Sequence, residues 1–287
     1  MSRPILPSPD EWAQLAPAPH SILWRRAGDP RLLLTTGYAL VLQVAHPTVG
    51  AGVSEHSAFR EDPWRRLWRT LDAFYALVYG GPEAAGRMGR RLRAYHRRIK
   101  GVAADGRRYD ALDPEAYAWV HATLADAIVR GHARVGDPLR SWERERLWAQ
   151  WRAVGRLLGV RPRDLPDDWQ GYEAYADRMV RDRLERTAAV DDVLATLAAP
   201  GPPPLPLPVR AGWPFAGIPL SRALVLVTVG MLPPVLRERL RLGWSGAQEL
   251  ELQVLARALR ATTPLLPGAA RIIGPAYLRL RREATAG

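Results

Sequence analysis

One histidine in a strongly basic stretch is the first residue whose type and spacing could do chemistry. His96 lies in RMGRRLRAYHRRIKG, residues 87–101, among arginines and one lysine. Residues three and four apart share a helix face, so one apolar stripe contains His96 with Met88, Leu92 and Ile99. An imidazole there is either a core histidine held by one hydrogen bond or an axial haem ligand. One histidine cannot make a zinc site, which needs three or four protein ligands.

Two further histidines, His46 and His56, bracket the segment HPTVGAGVSEH. Its proline and glycines predict a tight, irregular turn after a buried helix. The glycines are not a phosphate loop, because the Lys-Ser/Thr pair is missing. Glu55, His56 and Ser57 are sequence neighbours, and a hydrolase triad draws its members from separate segments, so they do not form one by themselves.

Arg66, Arg69 and Thr70 could join His96, because they flank an apolar helix face. Each has a plain structural alternative, since the arginines could form surface ion pairs and Thr70 could bond back within its helix. His46 could likewise serve as a helix C-terminal cap. Together they would suit haem, because arginines pair with propionates and a threonine or arginine donor polarises bound dioxygen.

The elements that position these residues are helices, because the apolar residues recur with helical periodicity almost throughout the chain. Segments with helical patterns or helix start and stop signals cover residues 29–46, 62–80, 113–131, 141–158, 169–183 and 189–198. Asp62-Pro63 and Asp113-Pro114 are typical helix starts. The Pro-rich stretch 200–214 predicts an extended connector. About three further helices should pack back on the first part, giving one all-α domain over residues 1–287.

Composition excludes several classes of site. The chain has 287 residues and no cysteine, which excludes disulfides, Fe–S clusters and thiolate ligands. The net charge is +12, but the arginines are interleaved with acidic residues and no nucleic-acid-binding signature is present, so we expect no nucleic-acid partner. No apolar run reaches the roughly 20 residues of a transmembrane helix. We therefore expect a cytoplasmic protein without a transmembrane segment.

Several longer strings resemble a known family. They are LLLTTGYALVLQVAHPTVGAGVSEHSAFREDPWRRLWRTLDAFYALVYG, YHRRIKG, GRRYDALDPEAYAWVHATL and LPPVLRERLRLGW. They are similar to the family once labelled unknown-function domain 2236, which includes latex-clearing rubber oxygenases and a fungal oxygenase of mycophenolic acid biosynthesis. The resemblance covers about residues 20–245. It implies a globin-like helical core with additional helices and a b-type haem whose iron has one axial histidine.

The resemblance also implies roles for single residues. It places His96 at the axial position and Arg66 and Thr70 in the haem pocket. Arg69 stands where rubber oxygenases have a lysine that can cap the iron, and arginine is a poor iron ligand because it does not readily deprotonate. Glu55 is the nearest candidate for the family's catalytic glutamate, several residues out of register.

The implied activity is a haem b-dependent oxygenase or oxidase that uses dioxygen on a small hydrophobic, isoprenoid-like substrate. Arg69, Thr70, His46 and His56 are the candidates for stabilising bound oxygen or moving protons. His121 is a further histidine of unassigned role. Two alternatives stay open: a non-catalytic carrier of haem or a hydrophobic ligand, and a basic interaction protein whose pocket is only core. The sequence does not give the oligomeric state.

Overall fold

The structure, a computed structural model, describes residues 6–56, 61–103, 105–204 and 207–286. The helices up to residue 134 are α1 (Pro9–Leu15), α2 (Ile22–Ala27), α3 (Thr36–Val44), α4 (Pro47–His56), α5 (Pro63–Tyr79), α6 (Gly81–His96) and α7 (Pro114–Arg134). The later helices are α8 (Ser141–Leu158), α9 (Trp169–Asp182), α10 (Ala188–Ala198), α11 (Leu207–Met231), α12 (Pro234–Arg239), α13 (Gly246–Thr262), α14 (Gly268–Arg271) and α15 (Ile273–Ala286). Short 3-10 segments lie at Pro30–Thr35, Pro162–Asp164 and Thr263–Leu265.

The predicted all-α class is confirmed. The β-structure of the described residues is one antiparallel hairpin, β1 (Lys100–Val102) with β2 (Arg108–Asp110), in which Gly101 pairs with Tyr109. This hairpin follows α6 directly, so α6 ends at His96 and Ile99 lies beyond the helix rather than on its stripe.

The predicted helix starts are confirmed where an aspartate precedes a proline. The Asp62 carboxylate accepts a hydrogen bond from the Arg65 backbone amide at 2.9 Å, and Asp113 accepts one from Ala116 at 3.0 Å. Such caps satisfy amides that the first helical turn leaves without partners. Helix α7 runs past Gly131, the predicted stop, to Arg134.

The segment predicted as one buried helix and an irregular turn is built differently. Residues 30–35 form a 3-10 segment, α3 follows it, and the glycine-containing segment is the regular helix α4. The bend between the two helical stretches is 107°. Gly50 serves close packing rather than a turn, because a Cβ there would lie 2.6 Å from the Val44 carbonyl oxygen and 2.9 Å from Thr187.

The predicted extended connector is also shorter than expected. Helix α11 begins at Leu207 and includes Pro214 and Pro219, so the second half of the 200–214 stretch is helical. Proline is expected in a first turn, but these two lie inside the helix. This extension corrects the sequence-based estimate of apolar length: the segment Gly212–Met231 has the length and composition of a membrane span, and 28 % of it is buried.

The core is organised around α7, which is apolar on most of its circumference. Trp119 on α7 and Trp148 and Trp151 on α8 are fully buried. Helix α7 packs against α3, α8 and the 3-10 segment at Pro30–Thr35, while α11 and α13 enclose a smaller apolar cluster around Leu252. A helix that is hydrophobic all round belongs inside a domain, and α7 occupies that place.

Helix α6 is fixed by close contacts along its first half. A Cβ at Gly86 would overlap the Trp12 ring of α1, and one at Gly89 would overlap the Leu157 carbonyl group of α8. Glycine therefore lets both neighbours approach the α6 backbone. Helix α5 packs along α6, and α15 packs on α5.

Many arginines have local structural partners. Arg239 donates to the carbonyl oxygens of Val180, Arg181 and Leu184 at the end of α9. Arg260 donates to three carbonyl oxygens at the C-terminal end of α7, and Arg186 donates to the Leu240 carbonyl oxygen at the end of α12. Cations are favourable at helix C-termini because carbonyl groups there lack partners. Part of the positive charge is thus dispersed over helix ends.

Candidate functional site

The side chain of His96 is held by its own helix. Its Nδ1 donates a hydrogen bond to the carbonyl oxygen of Leu92, 2.8 Å away and one turn earlier on α6. A carbonyl oxygen only accepts, so the proton of a neutral ring lies on Nδ1 and the lone pair lies on Nε2. Burial lowers the pKa of His96, with Arg93 acting in the same direction and the Leu92 bond opposing it. The lowered pKa favours the neutral imidazole, whose Nε2 lone pair is the one that could bind a metal ion.

Two tyrosine rings stand edge-on to this imidazole. The ring centres of His96 and Tyr117, which lies on α7, are 5.6 Å apart, and those of His96 and Tyr95 are also 5.6 Å apart. The Tyr117 hydroxyl donates to the Leu158 carbonyl oxygen at 3.0 Å, which fixes that ring. Aromatic rings therefore contact the His96 imidazole on two sides.

The predicted arginines approach the same place from the start of α5. The Arg69 guanidinium lies 5.4 Å from the centre of the Tyr95 ring, a cation–π contact. Arg66 is half-buried; burial lowers the pKa of its guanidinium, while its electrostatic interaction with Tyr95 raises it. The structure therefore places Arg66 and Arg69 near Tyr95, the residue that precedes His96 on α6.

Thr70 adopts its structural alternative. Its hydroxyl donates to the Arg66 carbonyl oxygen at 3.0 Å, and its side chain is exposed. This bond within α5 uses the hydroxyl proton locally, as threonine often does inside helices.

His46 lies between α3 and α4 and belongs to a separate polar group. Its Nε2 is 3.3 Å from Glu115 of α7, and Glu115 also accepts two hydrogen bonds from Arg183. His46 is 2 % exposed, and its Nδ1 has no hydrogen-bond partner among the described residues. Burial lowers its pKa, although the bond to Glu115 opposes the shift.

His56 lies at the exposed end of α4 against the hairpin. Its Nε2 is 2.9 Å from the Tyr109 hydroxyl. Glu55 is exposed beside His56. Burial of the Tyr109 phenol raises its pKa, and the negative charge of Glu55 raises it further. Ser57 lies outside the described residues. The described contacts of His46, His56 and Glu55 do not include His96.

The contacts of His121 are those of a buried core residue. Its Nε2 donates to the Trp151 carbonyl oxygen at 2.8 Å, and the Trp151 indole donates back to the His121 carbonyl oxygen at 2.7 Å. The two rings stack in parallel with centres 4.7 Å apart. His132 is similarly buried and donates through Nε2 to the Arg26 carbonyl oxygen at 2.9 Å.

Sequence reasoning missed the partners of His96. The acceptor role of Leu92 follows from its i−4 position, so helix spacing could have predicted it. Tyr95 carried a weaker signal as the neighbouring residue. Tyr117 lies on a different helix, and only the packing of α6 near α7 brings it to His96.

The residues fit a haem group by their chemistry. His96 offers one unprotonated nitrogen in an aromatic surround, and Arg66 offers a buried cation for a carboxylate. Within the described residues there is no cluster of three or more His, Cys, Asp or Glu side chains able to hold a bare metal ion. A macrocycle that brings its own nitrogen ligands needs only one from the protein, so this set of donors is sufficient.

Comparison with known proteins gives a family and two relatives. The chain is 29 % identical over 233 residues to uncharacterized protein Mb2261 of Mycobacterium bovis and, with the same identity, to uncharacterized protein Rv2237 of Mycobacterium tuberculosis. Each match covers 79 % of this chain and 87 % of the relative. No solved structure matches the chain significantly, so the globin-like core stays a prediction.

The family match covers most of the chain. Residues 24–261 match the family described as ER-bound oxygenase mpaB/B'/rubber oxygenase, catalytic domain. The matched region begins in α2, includes α5, α6 and α7, and ends in α13, so the site around His96 lies inside it. The chain belongs to this oxygenase family.

Proposed function

We propose that this protein is a haem b-dependent oxygenase that uses dioxygen on a small hydrophobic, isoprenoid-like substrate. The observation that carries the proposal is the bond from His96 Nδ1 to the Leu92 carbonyl oxygen. In a neutral ring this bond leaves the lone pair on Nε2, and it supports the proposal because ligating histidines almost always donate their other ring N–H to an acceptor.

The chain's own residues would bind and orient the cofactor. His96 Nε2 would be the iron ligand, and the rings of Tyr95 and Tyr117 would flank the imidazole. Arg66 would pair with a propionate carboxylate, a charge-assisted bond that a buried guanidinium favours. When bound, haem supplies dioxygen binding and the oxidation chemistry.

Arg69 and Thr70 are proposed for the polar side of the pocket. The contact of Arg69 with Tyr95 positions its guanidinium near the His96 end of α6. The Thr70 hydroxyl would have to leave the Arg66 carbonyl oxygen to donate elsewhere. A direct role for Thr70 therefore requires a rotamer change.

His46 and His56 are proposed to move protons rather than to bind iron. His46 Nδ1 is buried, while Nε2 contacts the partly exposed Glu115. The two ring nitrogens therefore face the interior and the surface respectively. His56 would exchange a proton with the Tyr109 hydroxyl at the surface. Both are secondary to His96 in the proposal.

We propose a cytoplasmic location for the protein. Two observations point instead towards a membrane. The family description includes an ER-bound oxygenase, and α11 contains one segment long and apolar enough to span a membrane. Separation of membranes from soluble extract, with the protein detected by antibody, tests the location. Recovery in the membrane fraction after a salt wash would contradict it.

The proposed activity is tested by reconstitution and turnover. Protein loaded with haem would be reduced under air in the presence of isoprenoid alkenes of increasing length, and products would be analysed by mass spectrometry. Incorporation of labelled oxygen into a cleaved or oxidised product is expected. Stoichiometric haem without any product would favour the non-catalytic carrier, and the absence of haem binding would contradict both.

A further inference from the structure

A cleft between α11 and α13 lies apart from the His96 site. It has a volume of about 330 Å³, and its apolar lining includes Val225, Leu226, Val229, Leu242 and Trp244. Leu226 and Val229 are 6 % and 7 % exposed, so they form the floor. This volume lies at the lower end of the range of about 300–1,000 Å³ for small-molecule sites.

An ion pair lies on the solvent side of this cleft. Arg222 Nε is 2.6 Å from one carboxylate oxygen of Glu251, and Nη2 is 2.9 Å from the other. The two side chains are 72 % and 36 % exposed, so the pair is solvated. An exposed ion pair contributes little to stability, so a second carboxylate could replace Glu251 on Arg222 at small cost.

Apolar side chains surround this charged pair. Ile218 lies one turn before Arg222 on α11 and is 73 % exposed. On α13, Leu250 adjoins Glu251 and Val254 follows three residues later, with exposures of 59 % and 56 %. Ile218 shares a helix face with Arg222, and Leu250 shares one with Val254, because residues three or four apart lie on the same side of a helix. An apolar rim beside a planar bidentate cation is suited to an amphiphilic anion rather than to a purely polar ligand.

We propose that the α11–α13 cleft binds a medium-length alkyl chain that ends in a carboxylate. The alkyl chain of the ligand lies along Val225, Leu226 and Val229. Its carboxylate replaces the Glu251 carboxylate on the Arg222 guanidinium. Arginine suits this role because its rigid fork binds carboxylates in bidentate geometry. The small volume favours chains of moderate length over long acyl chains.

Calorimetric titration with hexanoate, octanoate, decanoate and octan-1-ol tests this, each below its critical micelle concentration. Each methylene that enters the cleft should lower the Kd about fourfold until the cleft is full. Octan-1-ol should bind more weakly than octanoate. Failure of the wild type to bind any of the carboxylates would overturn the proposal, as would equal binding of octan-1-ol and octanoate.

Two matched variants give opposite expected results. Arg222→Gln should raise the Kd for octanoate by roughly tenfold or more, the size of a lost charge-assisted hydrogen bond, and leave octan-1-ol unchanged. Glu251→Gln should tighten octanoate, because it frees Arg222 from its competitor. An unchanged Kd in Arg222→Gln, or weaker binding in Glu251→Gln, would overturn the proposal.

A third variant locates the alkyl chain. Val225→Phe fills the cleft and should abolish binding of both octanoate and octan-1-ol, with an unchanged far-UV circular-dichroism spectrum. Retained octanoate binding in a folded Val225→Phe protein would place the chain elsewhere and overturn the proposal.

Discussion

His96 and Leu92 are joined by a hydrogen bond of 2.8 Å from the imidazole Nδ1 to the backbone carbonyl oxygen one turn earlier. A histidine with a purely structural role could make the same bond through Nδ1. The bond leaves Nε2 as the ring nitrogen that can accept a second partner. The bond therefore satisfies one ring nitrogen and leaves on the other the lone pair that the proposed ligand role requires.

The buried pair of His121 and Trp151 predicts a pH dependence of stability. Burial lowers the pKa of His121 to about 4, whereas an unfolded histidine titrates near 6.5. Between these values the unfolded chain binds the extra proton, so stability falls as pH falls from about 6.5 towards 4. The full effect below about pH 4 is on the order of 3 kcal/mol for this residue. His46, His96 and His132 act in the same direction.

The His121→Gln variant checks this prediction because glutamine keeps a donor but does not titrate. Chemical denaturation at several pH values should show a shallower loss of stability in acid than in the wild type. At pH 8 the variant should be less stable by about 1–3 kcal/mol, because the stacked ring is lost. The exposed His20→Asn variant is the control and should behave as wild type. Parallel curves for His121→Gln and wild type would disprove the assignment.

Arg66 and Thr70 differ in burial and should differ in effect. Arg66→Gln removes the buried cation and should raise the haem Kd by roughly tenfold. Thr70→Val should change it by less than about twofold, because its hydroxyl already donates to the Arg66 carbonyl oxygen. Haem titration followed at the Soret band measures both, with the exposed Arg65→Gln as a control for charge. A larger loss in Thr70→Val than in Arg66→Gln would reverse the roles assigned here.

Arg69 stands at the position where the resemblance to rubber oxygenases implies a lysine that can cap the iron. An arginine that stays protonated cannot cap the iron, so the ferric protein should accept imidazole or cyanide without a slow opening step. Arg69→Lys should gain a low-spin form at high pH, because a desolvated lysine can lose its proton. A pH titration of both ferric spectra is the measurement. A wild-type spectrum that already shows two nitrogen ligands would contradict the idea and direct attention to His46 and His56.

Local signals predicted the helices that hold the site. Asp62 and Gly80 delimit α5 as expected, because a capping carboxylate and a terminal glycine act within a few residues of their own position. The position of His96 one helical turn after Leu92 also followed from helix spacing.

Features that depend on distant segments could not be predicted in this way. Gly50 looked like a turn residue but packs against Thr187, and Tyr117 reaches His96 only through the packing of α7. The start of α11 was missed because proline in a first turn is compatible with a helix, and composition alone does not distinguish that case from an extended connector.

The central claim, that His96 Nε2 is the axial ligand, is tested most directly by the ultraviolet–visible spectrum of reconstituted protein. Wild type, His96→Ala and the control His46→Ala would be titrated with haemin under the same conditions, and far-UV circular dichroism would confirm folding. We predict a stoichiometric Soret band in wild type and His46→Ala and its loss in a folded His96→Ala protein. A His96→Ala protein with the wild-type spectrum and stoichiometry would contradict the account.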